Sequence, residues 1–569
     1  MSYKINYNKW LSSSDLSHAE RSELQAVIGN EKEIESRFFS SLSFGTAGLR
    51  GIMGTGTALM NVHTVRHATQ AFANVILHEG FPSPEVAVCF DCRNNSADFA
   101  RAAACVLAAN GIRVRIFEDM RPTPELSFAV REYGCAAGIN ITASHNPKEY
   151  NGYKVYWSDG AQLPPAHAAA IAAEMQKLDV FSDVKTMSWS EAMPLVTVMG
   201  KETDEKFLAN VMAQSGGFDM ASVADSFKMV YTPFHGAGRL LVPEVLRRAG
   251  LKHISCVPEQ MEPDGSFPTV KSPNPENPES FYLAAALADK LGADFILGTD
   301  PDADRVGILT RDRGGEFKLI SGNKTGVLLL DYLISSYRCK GGIPENPAVL
   351  KTIVTTEMAR SVAKANGIDC IDTFTGFKFM AEKKNELEKS GSGHVIFAYE
   401  ESYGYMIGDF VRDKDAVTAS LLLCEMAAFY FSKGITLSEA LDGLYEKYGC
   451  FAEKTINLIM PGLEGLSDMR SLMARLRAEP TAEISGMPVA EIRDYLFGEA
   501  FSSAGGRKLE LSGSDVLGYT LADGTNVYVR PSGTEPKIKI YALARGETIS
   551  AAEKTCDVCE SWARSLTDG

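Results

Sequence analysis

The sequence predicts an α/β protein in which three related units, each with a parallel or mixed sheet, precede a smaller α+β unit. Two observations lead to this expectation. The chain has 569 residues, which corresponds to about three to five domains because a domain usually contains about 100–200 residues. The same order of strand-like and helix-like segments also occurs three times, and each time it ends in a polar loop. Such alternation is typical of α/β domains.

The first repeat ends in a loop that carries a serine. Its segments are strand Val86–Phe90, helix Phe99–Ala109 with Ser96 as N-cap, strand Ile112–Phe117, helix Pro124–Tyr133 and strand Ala136–Ile141. Glycines at 111 and 134 end the two helices. The last strand leads directly into the loop Thr142–Pro147, which contains Ser144.

The second and third repeats end in acidic loops. The second contains strand Lys228–Tyr231, helix Leu240–Ala249, strand His253–Val257, helix Phe281–Leu291 and strand Asp294–Leu297, and leads into Thr299–Arg305. The third contains strand Val349–Val354, helix Glu357–Ala365, strand Ile368–Ile371, helix Phe377–Lys389 and strand His394–Ala398, and leads into Tyr399–Gly404. Because ligands bind at the carboxyl ends of strands in such sheets, we expect the three polar loops to line one cleft.

The C-terminal stretch has a different pattern. Gly505–Lys508 indicates a boundary, and close strands at Val516–Leu521, Val527–Arg530 and Ile538–Ala542 precede a helix from about residue 550 to 565. Closely spaced antiparallel strands with one helix are typical of a small α+β domain.

Composition excludes several classes of protein. The net charge of −15 argues against a broad basic surface for nucleic acid, although a local cluster of Arg and Lys can still bind phosphate. No run of about 18 apolar residues and no signal peptide is visible, so we expect no membrane association and a cytoplasmic location. The 11 cysteines, including two CxxC pairs, are interpreted as reduced thiols rather than a disulfide scaffold or zinc site.

The loop after the second repeat predicts a metal site. Asp300, Asp302 and Asp304 alternate, so a turning loop can bring three carboxylates to one point. Hard oxygen ligands of this kind suit Mg²⁺. A calcium loop of the EF-hand type is excluded because Arg305 and Arg311 occupy the positions that require Gly and Glu. A solvated acidic turn remains the alternative.

Ser144 lies between a strand end and the turn-forming Asn146-Pro147, which places a hydroxyl at the predicted cleft. A serine needs a base, a metal or local charge to act as a nucleophile, and Lys154 follows ten residues later. The G-x-S-x-G elbow of serine hydrolases is absent. The alternative is a turn hydroxyl that caps a backbone amide.

Two further loops carry groups suited to a phosphorylated sugar. Arg530, with the hydroxyls and glycine that follow it, can form a phosphate cradle, unless its guanidinium pairs with a surface carboxylate. Glu400 and Ser402 can bind vicinal hydroxyls of a sugar. Glycosidase chemistry through Glu400 and Glu401 is discounted, because adjacent residues usually point in opposite directions.

These loops, in this order, resemble those of the α-D-phosphohexomutase superfamily, and most closely its phosphoglucomutase branch. The resemblance extends from Phe44–Gly51 (FGTAGLRG) to Arg530–Thr534 (RPSGT), and the serine loop combined with the triple-Asp loop is its most specific part. It implies four domains. Their expected ranges are 1–203 with the phosphoserine loop, 204–320 with the metal loop, 321–450 with the sugar-recognition loop, and 451–569 with a linker and a phosphate-binding domain.

The resemblance also implies roles for individual residues. Ser144 would carry the phosphoryl group, and Asp300, Asp302 and Asp304 would bind Mg²⁺ together with a phosphoserine oxygen. The implied sugar-binding residues are Thr375, Gly376, Lys378, Glu400 and Ser402, and the implied phosphate-binding residues are Arg530, Ser532, Gly533 and Thr534. Arg50, Lys154, Arg305 and Lys414 would surround the transferred phosphate, with Lys154 as general base.

By the same resemblance, the expected reaction is the reversible interconversion of glucose 1-phosphate and glucose 6-phosphate through glucose 1,6-bisphosphate, which also serves as activator. The metal loop has Pro301 and Ala303 where many members carry glycines, as in a subgroup that includes phosphopentomutase and glucose-1,6-bisphosphate synthase activities. Those two activities and phosphomannomutase therefore remain alternatives, as do a metal-dependent sugar phosphatase and a non-catalytic phosphosugar sensor. The expected partner is a hexose phosphate, and the chain is expected to be a monomer or a dimer.

Overall fold

The computed structural model describes residues 2–45, 48–312, 314–460, 465–532 and 537–567. The chain divides into two units. The first contains the residues up to 320 together with 403–434, and the second contains 321–402 together with 435 onward.

The first sheet is mixed, and its two central strands are buried along their whole length. Its strands are β1 (Leu49–Ile52), β2 (Glu85–Phe90), β3 (Arg113–Phe117), β4 (Ala137–Ile141), β5 (Tyr150–Trp157) and β6 (Val196–Met199), in the order β1-β5-β4-β2-β3-β6. Strand β2 pairs in parallel with β3 and β4, whereas β5 runs antiparallel to β4 and β1. The polar loop after β4 is therefore the turn of an antiparallel hairpin.

Helices cover both faces of this sheet. They are α1 (Ser2–Ser12), α2 (His18–Ala26), α3 (Glu31–Phe38), α4 (Val62–His78), α5 (Ser96–Ala109), α6 (Thr123–Glu132), α7 (Pro165–Met175), α8 (Trp189–Ala192) and α9 (Lys201–Met212). Val86 and Val88 of β2 belong to a core with α4 and α5, and the intervening Ala87 and Cys89 pack with α6. This follows from the alternation of side chains along a strand.

Ser96 does not cap α5 as predicted. Asn95 is the N-cap, in a left-handed conformation with φ +66°, and Ser96 is the first helical residue. The hydroxyl of Ser96 donates to Asp91 instead (2.8 Å). A carboxylate from the preceding loop accepts the hydroxyl hydrogen, and the helix begins without a side-chain cap.

The second sheet repeats the hairpin arrangement of the first. Its strands are β7 (Lys228–Thr232), β8 (His253–Cys256), β9 (Phe295–Thr299), β10 (Val306–Arg311) and β11 (Phe317–Ile320), in the order β11-β10-β9-β7-β8, with helices α10 (Gly238–Arg248), α11 (Pro258–Met261) and α12 (Tyr282–Leu291). Strand β9 is parallel to β7 and antiparallel to β10. The triple-Asp loop joins β9 to β10, so it occupies the same place in its sheet as the serine loop does in the first.

The third sheet belongs to the second unit. Strands β12 (Pro347–Thr352), β13 (Asp369–Thr373) and β14 (His394–Glu400) are parallel, in the order β13-β12-β14, and they alternate with helices α13 (Gly322–Cys339), α14 (Met358–Ala365) and α15 (Phe377–Ser390). Strand β15 (Gly404–Met406) and helix α16 (Ala416–Ser432) return to the first unit, and α17 (Leu437–Tyr448) follows in the second.

The C-terminal domain is an antiparallel sheet with two helices. Its strands are β16 (Cys450–Ile459), β17 (Glu483–Ile484), β18 (Met487–Asp494), β19 (Glu499–Ser502), β20 (Gly505–Lys508), β21 (Leu517–Leu521), β22 (Asn526–Pro531) and β23 (Lys537–Gly546), and its helices are α18 (Gly465–Ala478) and α19 (Ile549–Ser565). The boundary predicted at Gly505–Lys508 is wrong, because this segment is a strand paired with β19. The sheet already begins at β16, which pairs along its whole length with the distant β23.

Within the described ranges, no single helix has both the length and the hydropathy of a membrane span. Only two helices taken together across a break, α16 and α17, meet those criteria.

Candidate active site

The serine loop is held in place by a buried arginine. Ser144 has a left-handed backbone with φ +53°, and its amide donates to Oγ1 of Thr142 (2.8 Å). The guanidinium of Arg93 donates to the carbonyl oxygens of Ser144 and Asn146 (both 2.5 Å) and of Pro147 and Tyr150 (both 3.0 Å). Four carbonyl groups tied to one cation fix the course of the loop.

The triple-Asp loop brings its carboxylates together, as predicted. Asp300, Asp302 and Asp304 are all buried, and each offers an oxygen within 4.8 Å of those of the other two. Oδ1 of Asp300 accepts hydrogen bonds from the amides of Asp304 (3.1 Å) and Arg305 (2.9 Å), which closes the turn. The alternative of a solvated acidic turn is wrong, because the three side chains are withdrawn from solvent.

The two loops meet at the serine hydroxyl. Oγ of Ser144 donates to Oδ2 of Asp300 (2.8 Å) and lies 3.1 Å from Nδ1 of His145. The alternative of an amide-capping turn hydroxyl does not describe Ser144, since Thr142 supplies that cap. The structure therefore joins a buried hydroxyl to a buried group of carboxylates.

Two lysines balance part of the negative charge. Nζ of Lys154, on β5, lies 2.8 Å from Oδ2 of Asp302 and 3.4 Å from Oδ2 of Asp304. Nζ of Lys414 lies 3.2 Å from Oδ2 of Asp304 and 3.1 Å from Oδ1 of Asp413. Burial alone would lower the pKa of Lys154, but the charges of Asp302 and Asp304 outweigh it and raise that pKa. Lys154 is an ammonium donor in this arrangement.

The carboxylates respond unequally to their surroundings. The pKa of Asp300 is raised well above its usual range by burial and by the charges of Asp302 and Asp304. Burial opposes ionisation of Asp302 as well, yet contact with Lys154 holds its pKa below the usual range. Asp302 therefore has a positive counter-charge in Lys154, whereas the charge of an ionised Asp300 is not fully compensated.

Two carboxylate oxygens are left over. Oδ1 of Asp302 and Oδ1 of Asp304 are buried and have no hydrogen-bond partner among the residues that the structure describes. Buried polar atoms of this kind are costly unless a partner is supplied. A divalent cation that prefers hard oxygen ligands fits this donor set.

Arg50 and Arg305 bring positive charge to the serine loop, where both act on His145. Nη1 of Arg50, on β1, donates to Oδ1 of Asn146 (3.1 Å), and Nη1 of Arg305 donates to Oε1 of Glu276 (2.8 Å). Burial, together with the positive charges of Arg305 and Arg50, lowers the pKa of His145 well below its usual range. The imidazole beside Ser144 is therefore neutral near pH 7.

The predicted sugar-binding residues lie in the second unit. The amide of Gly376 donates to Oε1 of Glu400 (2.6 Å), which joins the loop after β13 to the end of β14. Oε2 of Glu401 accepts instead from the hydroxyls of Thr352 (3.3 Å) and Thr355 (3.2 Å). The two adjacent carboxylates have different partners, so they do not form a glycosidase pair.

The other residues predicted for the second unit are partly exposed. Thr375, Lys378 and Ser402 are half-buried, and burial lowers the pKa of Lys378. In the predicted phosphate loop, Arg530 is the next-to-last residue of β22, and the amide of Ser532 donates to the carbonyl of Lys537 (2.8 Å). Gly533 and Thr534, also predicted for this loop, lie outside the described residues.

Comparison with known proteins identifies the family. Family profiles for the α/β/α domains I, II and III of phosphoglucomutase/phosphomannomutase match residues 41–180, 205–315 and 321–448. The chain belongs to the phosphoglucomutase/phosphomannomutase family. This membership confirms the predicted family, the α/β class with three related domains and a fourth, and the expectation of an isomerase.

Relatives in this family cover most of the chain. The phosphoglucomutase of Staphylococcus saprophyticus is 35% identical over 523 residues, which is 91% of this chain and 93% of that protein. The phosphoglucomutase of Staphylococcus epidermidis is 36% identical over 512 residues, or 88% and 90% of the two chains.

Solved structures share the fold at lower identity. A phosphomannomutase structure from Thermus thermophilus has a TM-score of 0.69 at 22% identity and covers 93% of this chain and all of its own. Parafusin, a phosphoglucomutase from Paramecium, has a TM-score of 0.68 at 19% identity and covers 93% of this chain and 96% of its own.

Sequence reasoning missed three buried residues that support the site in this phosphoglucomutase/phosphomannomutase family member. They are Arg93, Thr123 and Asn140. Arg93 had a detectable signal, since Asp91-Cys92-Arg93 places an ion pair directly after a buried strand (3.2 Å). The other two act through contacts between residues far apart in the sequence, which no local pattern indicates.

Proposed function

We propose that this member of the family is a phosphoglucomutase, which interconverts glucose 1-phosphate and glucose 6-phosphate through phosphoserine at position 144 and a glucose 1,6-bisphosphate intermediate. The observation that carries the proposal is the 2.8 Å hydrogen bond from Oγ of Ser144 to Asp300, inside a group of three carboxylates. The name shared by the relatives at 35–36% identity supports the choice of glucose.

Mg²⁺ is the proposed cofactor, and the residues that would hold it are Asp300, Asp302 and Asp304 together with Ser144. Oδ1 of Asp302 and Oδ1 of Asp304, which are buried without a hydrogen-bond partner among the described residues, support this assignment. When bound, the ion stabilises the negative charge on the transferred phosphoryl group, which is the main requirement of phosphoryl transfer.

Residues of this chain then carry out the exchange. The bond between Oγ of Ser144 and phosphorus breaks while a bond forms from phosphorus to the oxygen of the free sugar hydroxyl. The neutral amine of Lys154 accepts the hydroxyl proton as general base, and the released Oγ of Ser144 is reprotonated, so the net proton moves from the sugar to the serine. A bound cation would offset the carboxylate charges that raise the pKa of Lys154, which favours the neutral amine. Arg50, Arg305 and Lys414 supply positive charge around the transferred group.

The second unit supplies the proposed recognition residues. We assign sugar binding to Thr375, Gly376, Lys378, Glu400 and Ser402, and binding of the non-reacting phosphate to Arg530, Ser532, Gly533 and Thr534. The domain ranges proposed with these roles are 1–203, 204–320, 321–450 and 451–569. We also propose a cytoplasmic location, where hexose phosphates are available.

A phosphopentomutase is the second candidate function. The observation that favours it is the metal loop, where Ala303 occupies a left-handed position (φ +49°) that suits glycine. By resemblance, this loop is similar to that of a subgroup in which pentose phosphates are substrates.

The test is a side-by-side measurement of kcat/KM for glucose 1-phosphate, mannose 1-phosphate and ribose 1-phosphate, with Mg²⁺ and glucose 1,6-bisphosphate present. We expect glucose 1-phosphate to give the highest value, with a phosphoserine at 144 detected by mass spectrometry. A preference for ribose 1-phosphate would support the second candidate. Release of inorganic phosphate without an isomeric product would identify a phosphatase. Absence of both turnover and phosphoserine would indicate a phosphosugar sensor.

A further inference from the structure

Thr123 makes two hydrogen bonds to one residue of the triple-Asp loop. It is the first residue of α6, a position whose amide has no acceptor within the helix. That amide donates to the carbonyl oxygen of Asp302 (2.8 Å), and the Thr123 hydroxyl donates to Oδ2 of the same residue (2.8 Å). Both side chains are fully buried.

Asn140 fixes the direction of this hydroxyl. Its Nδ2 lies 2.7 Å from Oγ1 of Thr123, and Asn140 is fully buried on β4. The ionised carboxylate of Asp302 can only accept a hydrogen bond, so the hydroxyl hydrogen must point toward it. Oγ1 is then left as the acceptor for the amide of Asn140. The chain of donors runs in one direction, from Asn140 through Thr123 to Asp302.

The result is an Asp302 carboxylate with one saturated oxygen and one open oxygen. Oδ2 receives both the Thr123 hydroxyl and the ammonium of Lys154, each at 2.8 Å. Oδ1 is buried without a hydrogen-bond partner in the part of the chain that the structure describes. The two hydrogen bonds to Oδ2 restrict rotation of the carboxylate, so the orientation of Oδ1 is fixed.

We propose that Thr123, oriented by Asn140, is a positioning residue that holds the carboxylate of Asp302 with Oδ1 presented to the divalent cation. This inference rests on the proposed function, because it requires that Asp302 bind a metal. Groups that orient metal ligands typically change metal affinity about 10–100-fold when they are removed.

Lys154 by itself would orient the carboxylate of Asp302 less strictly than Thr123 does. Its ammonium ends a long flexible chain and is shared with Asp304. Thr123 instead holds Asp302 through two hydrogen bonds, one from its backbone amide and one from the hydroxyl of a short side chain, both at the first residue of a helix.

The test is the dissociation constant for Mn²⁺, measured on metal-free protein by electron paramagnetic resonance of the unbound ion. Thr123→Val keeps the shape of the side chain but removes the hydroxyl, and we expect its Kd to rise about 10-fold. Thr123→Ser keeps the hydroxyl and should bind Mn²⁺ within about twofold of wild type. Rescue by serine would show that the hydrogen bond is responsible, rather than packing.

Asn140→Leu provides a second route if Thr123→Val does not fold. The Thr123 hydroxyl then lacks the donor that sets its direction, and we expect Kd to rise about threefold or more, a smaller effect than direct removal of the hydroxyl. The matched control is Thr69→Val, which removes another fully buried threonine hydroxyl in the same sheet domain, bonded to the carbonyl of Val65 (2.8 Å) and to Tyr153 (3.1 Å). This control should leave the Mn²⁺ affinity unchanged.

The outcomes separate the two proposals. Wild-type affinity in folded Thr123→Val, or in folded Asn140→Leu where the first variant fails to fold, would overturn the positioning role while the proposed function stands. A wild-type protein that binds no Mn²⁺ would instead remove the metal from the proposed function, and the positioning role with it.

Discussion

Two charge clusters at the ends of sheet strands, one fully buried and one built around a single buried lysine, differ in how their charges are paired. One is the triple-Asp loop after β9 in the first unit. The other surrounds Lys351 near the end of β12 in the second unit, where Nζ contacts Glu357 (2.8 Å) and Asp372 (2.9 Å). Arg360 joins the same two carboxylates at 2.9 and 2.6 Å. Two cations, Lys351 and Arg360, each contact the same two carboxylates, so the charges of this cluster sum to zero.

The triple-Asp loop is open by comparison. Lys154 and Lys414 contact some of its oxygens, and Nε of Arg305 lies 3.9 Å from Oδ1 of Asp304, but Oδ1 of Asp302 and Oδ1 of Asp304 have no hydrogen-bond partner among the described residues. Oδ1 of Asp372 in the other cluster also has none, yet it lies 2.9 Å from the ammonium of Lys351. The two clusters also differ in backbone strain. Ser144 and Ala303 have left-handed backbones, whereas none of the four residues of the Lys351 cluster does. Burial of charge alone therefore does not identify a reactive site, while unfilled ligand positions and local strain do.

The largest expected effect comes from removing the hydroxyl at the open cluster. Ser144→Ala should lower kcat for glucose 1-phosphate by at least about 10³-fold, because no atom remains to carry the phosphoryl group. The thermal unfolding temperature should change little, since the polar contacts of Oγ with described residues are those with Asp300 and His145. Near-normal turnover in this variant would contradict the assignment of Ser144 and break the contrast between the two clusters.

Lys351→Met should affect stability rather than chemistry. Removing one partner of a fully buried ion pair typically costs about 3–5 kcal/mol. The cost should be lower here, because Glu357 and Asp372 are only partly buried and keep their contacts with Arg360. We expect the first unfolding transition in urea to move to lower concentration, while kcat of the folded fraction stays near that of wild type. The exposed pair Lys4–Glu31 offers the matched control, and Lys4→Met should not move the transition.

Acid provides a second measure of the Lys351 cluster. Burial works against ionisation of Glu357, but Lys351 and Arg360 outweigh it and lower its pKa to about 2. A carboxyl group with a lowered pKa contributes stability that is complete above its unfolded pKa and is lost as the pH falls toward the folded value. In wild type that loss falls between about pH 4.5 and 2, and Lys351→Met should remove most of it. A variant with wild-type stability at neutral pH would show that the cluster is dispensable.

The smallest expected effect concerns strain in the open cluster. Ala303→Gly relieves a left-handed backbone that costs an L-residue roughly 1–2 kcal/mol, offset by about 0.5–1 kcal/mol of extra chain entropy in the unfolded state. The net gain in the free energy of unfolding should therefore be about 1 kcal/mol or less, measured by urea denaturation. Mn²⁺ affinity should fall slightly as the loop gains freedom. A clear loss of stability would show that Ala303 is not strained.

The sequence was sufficient to predict that Ser144 and the three aspartates come together, but not which residues hold them in place. The alternation of Asp300, Asp302 and Asp304 after an apolar strand predicted their convergence, because a short loop permits few other arrangements. Their meeting with Ser144 followed from both loops lying at carboxyl ends of strands. Both cases depend on local spacing and on a general rule of sheet topology.

Features that depend on long-range pairing could not be predicted. Thr123 acts on a residue 179 positions away in the sequence, and no periodicity marks it. The glycines at 505 and 506 suggested a boundary, but they belong to an edge strand of the sheet. At the opposite edge, β16 pairs with β23, and the first pair of this ladder joins residues almost a hundred positions apart. Local composition reports turns and breaks, whereas sheet membership is decided by distant partners.

Arg93 has a consequence for repeated turnover. In the proposed reaction, a phosphoryl group on Ser144 would add about 1.5 to 2 negative charges to a single side chain and would later leave again. The carbonyl oxygens of that loop are tied to a guanidinium whose own charge is constant over the physiological pH range. The backbone therefore has the same anchor in the esterified and the free form. In each proposed cycle the charge on the loop would change while its backbone keeps the same hydrogen bonds to Arg93, so the loop need not rearrange between substrates.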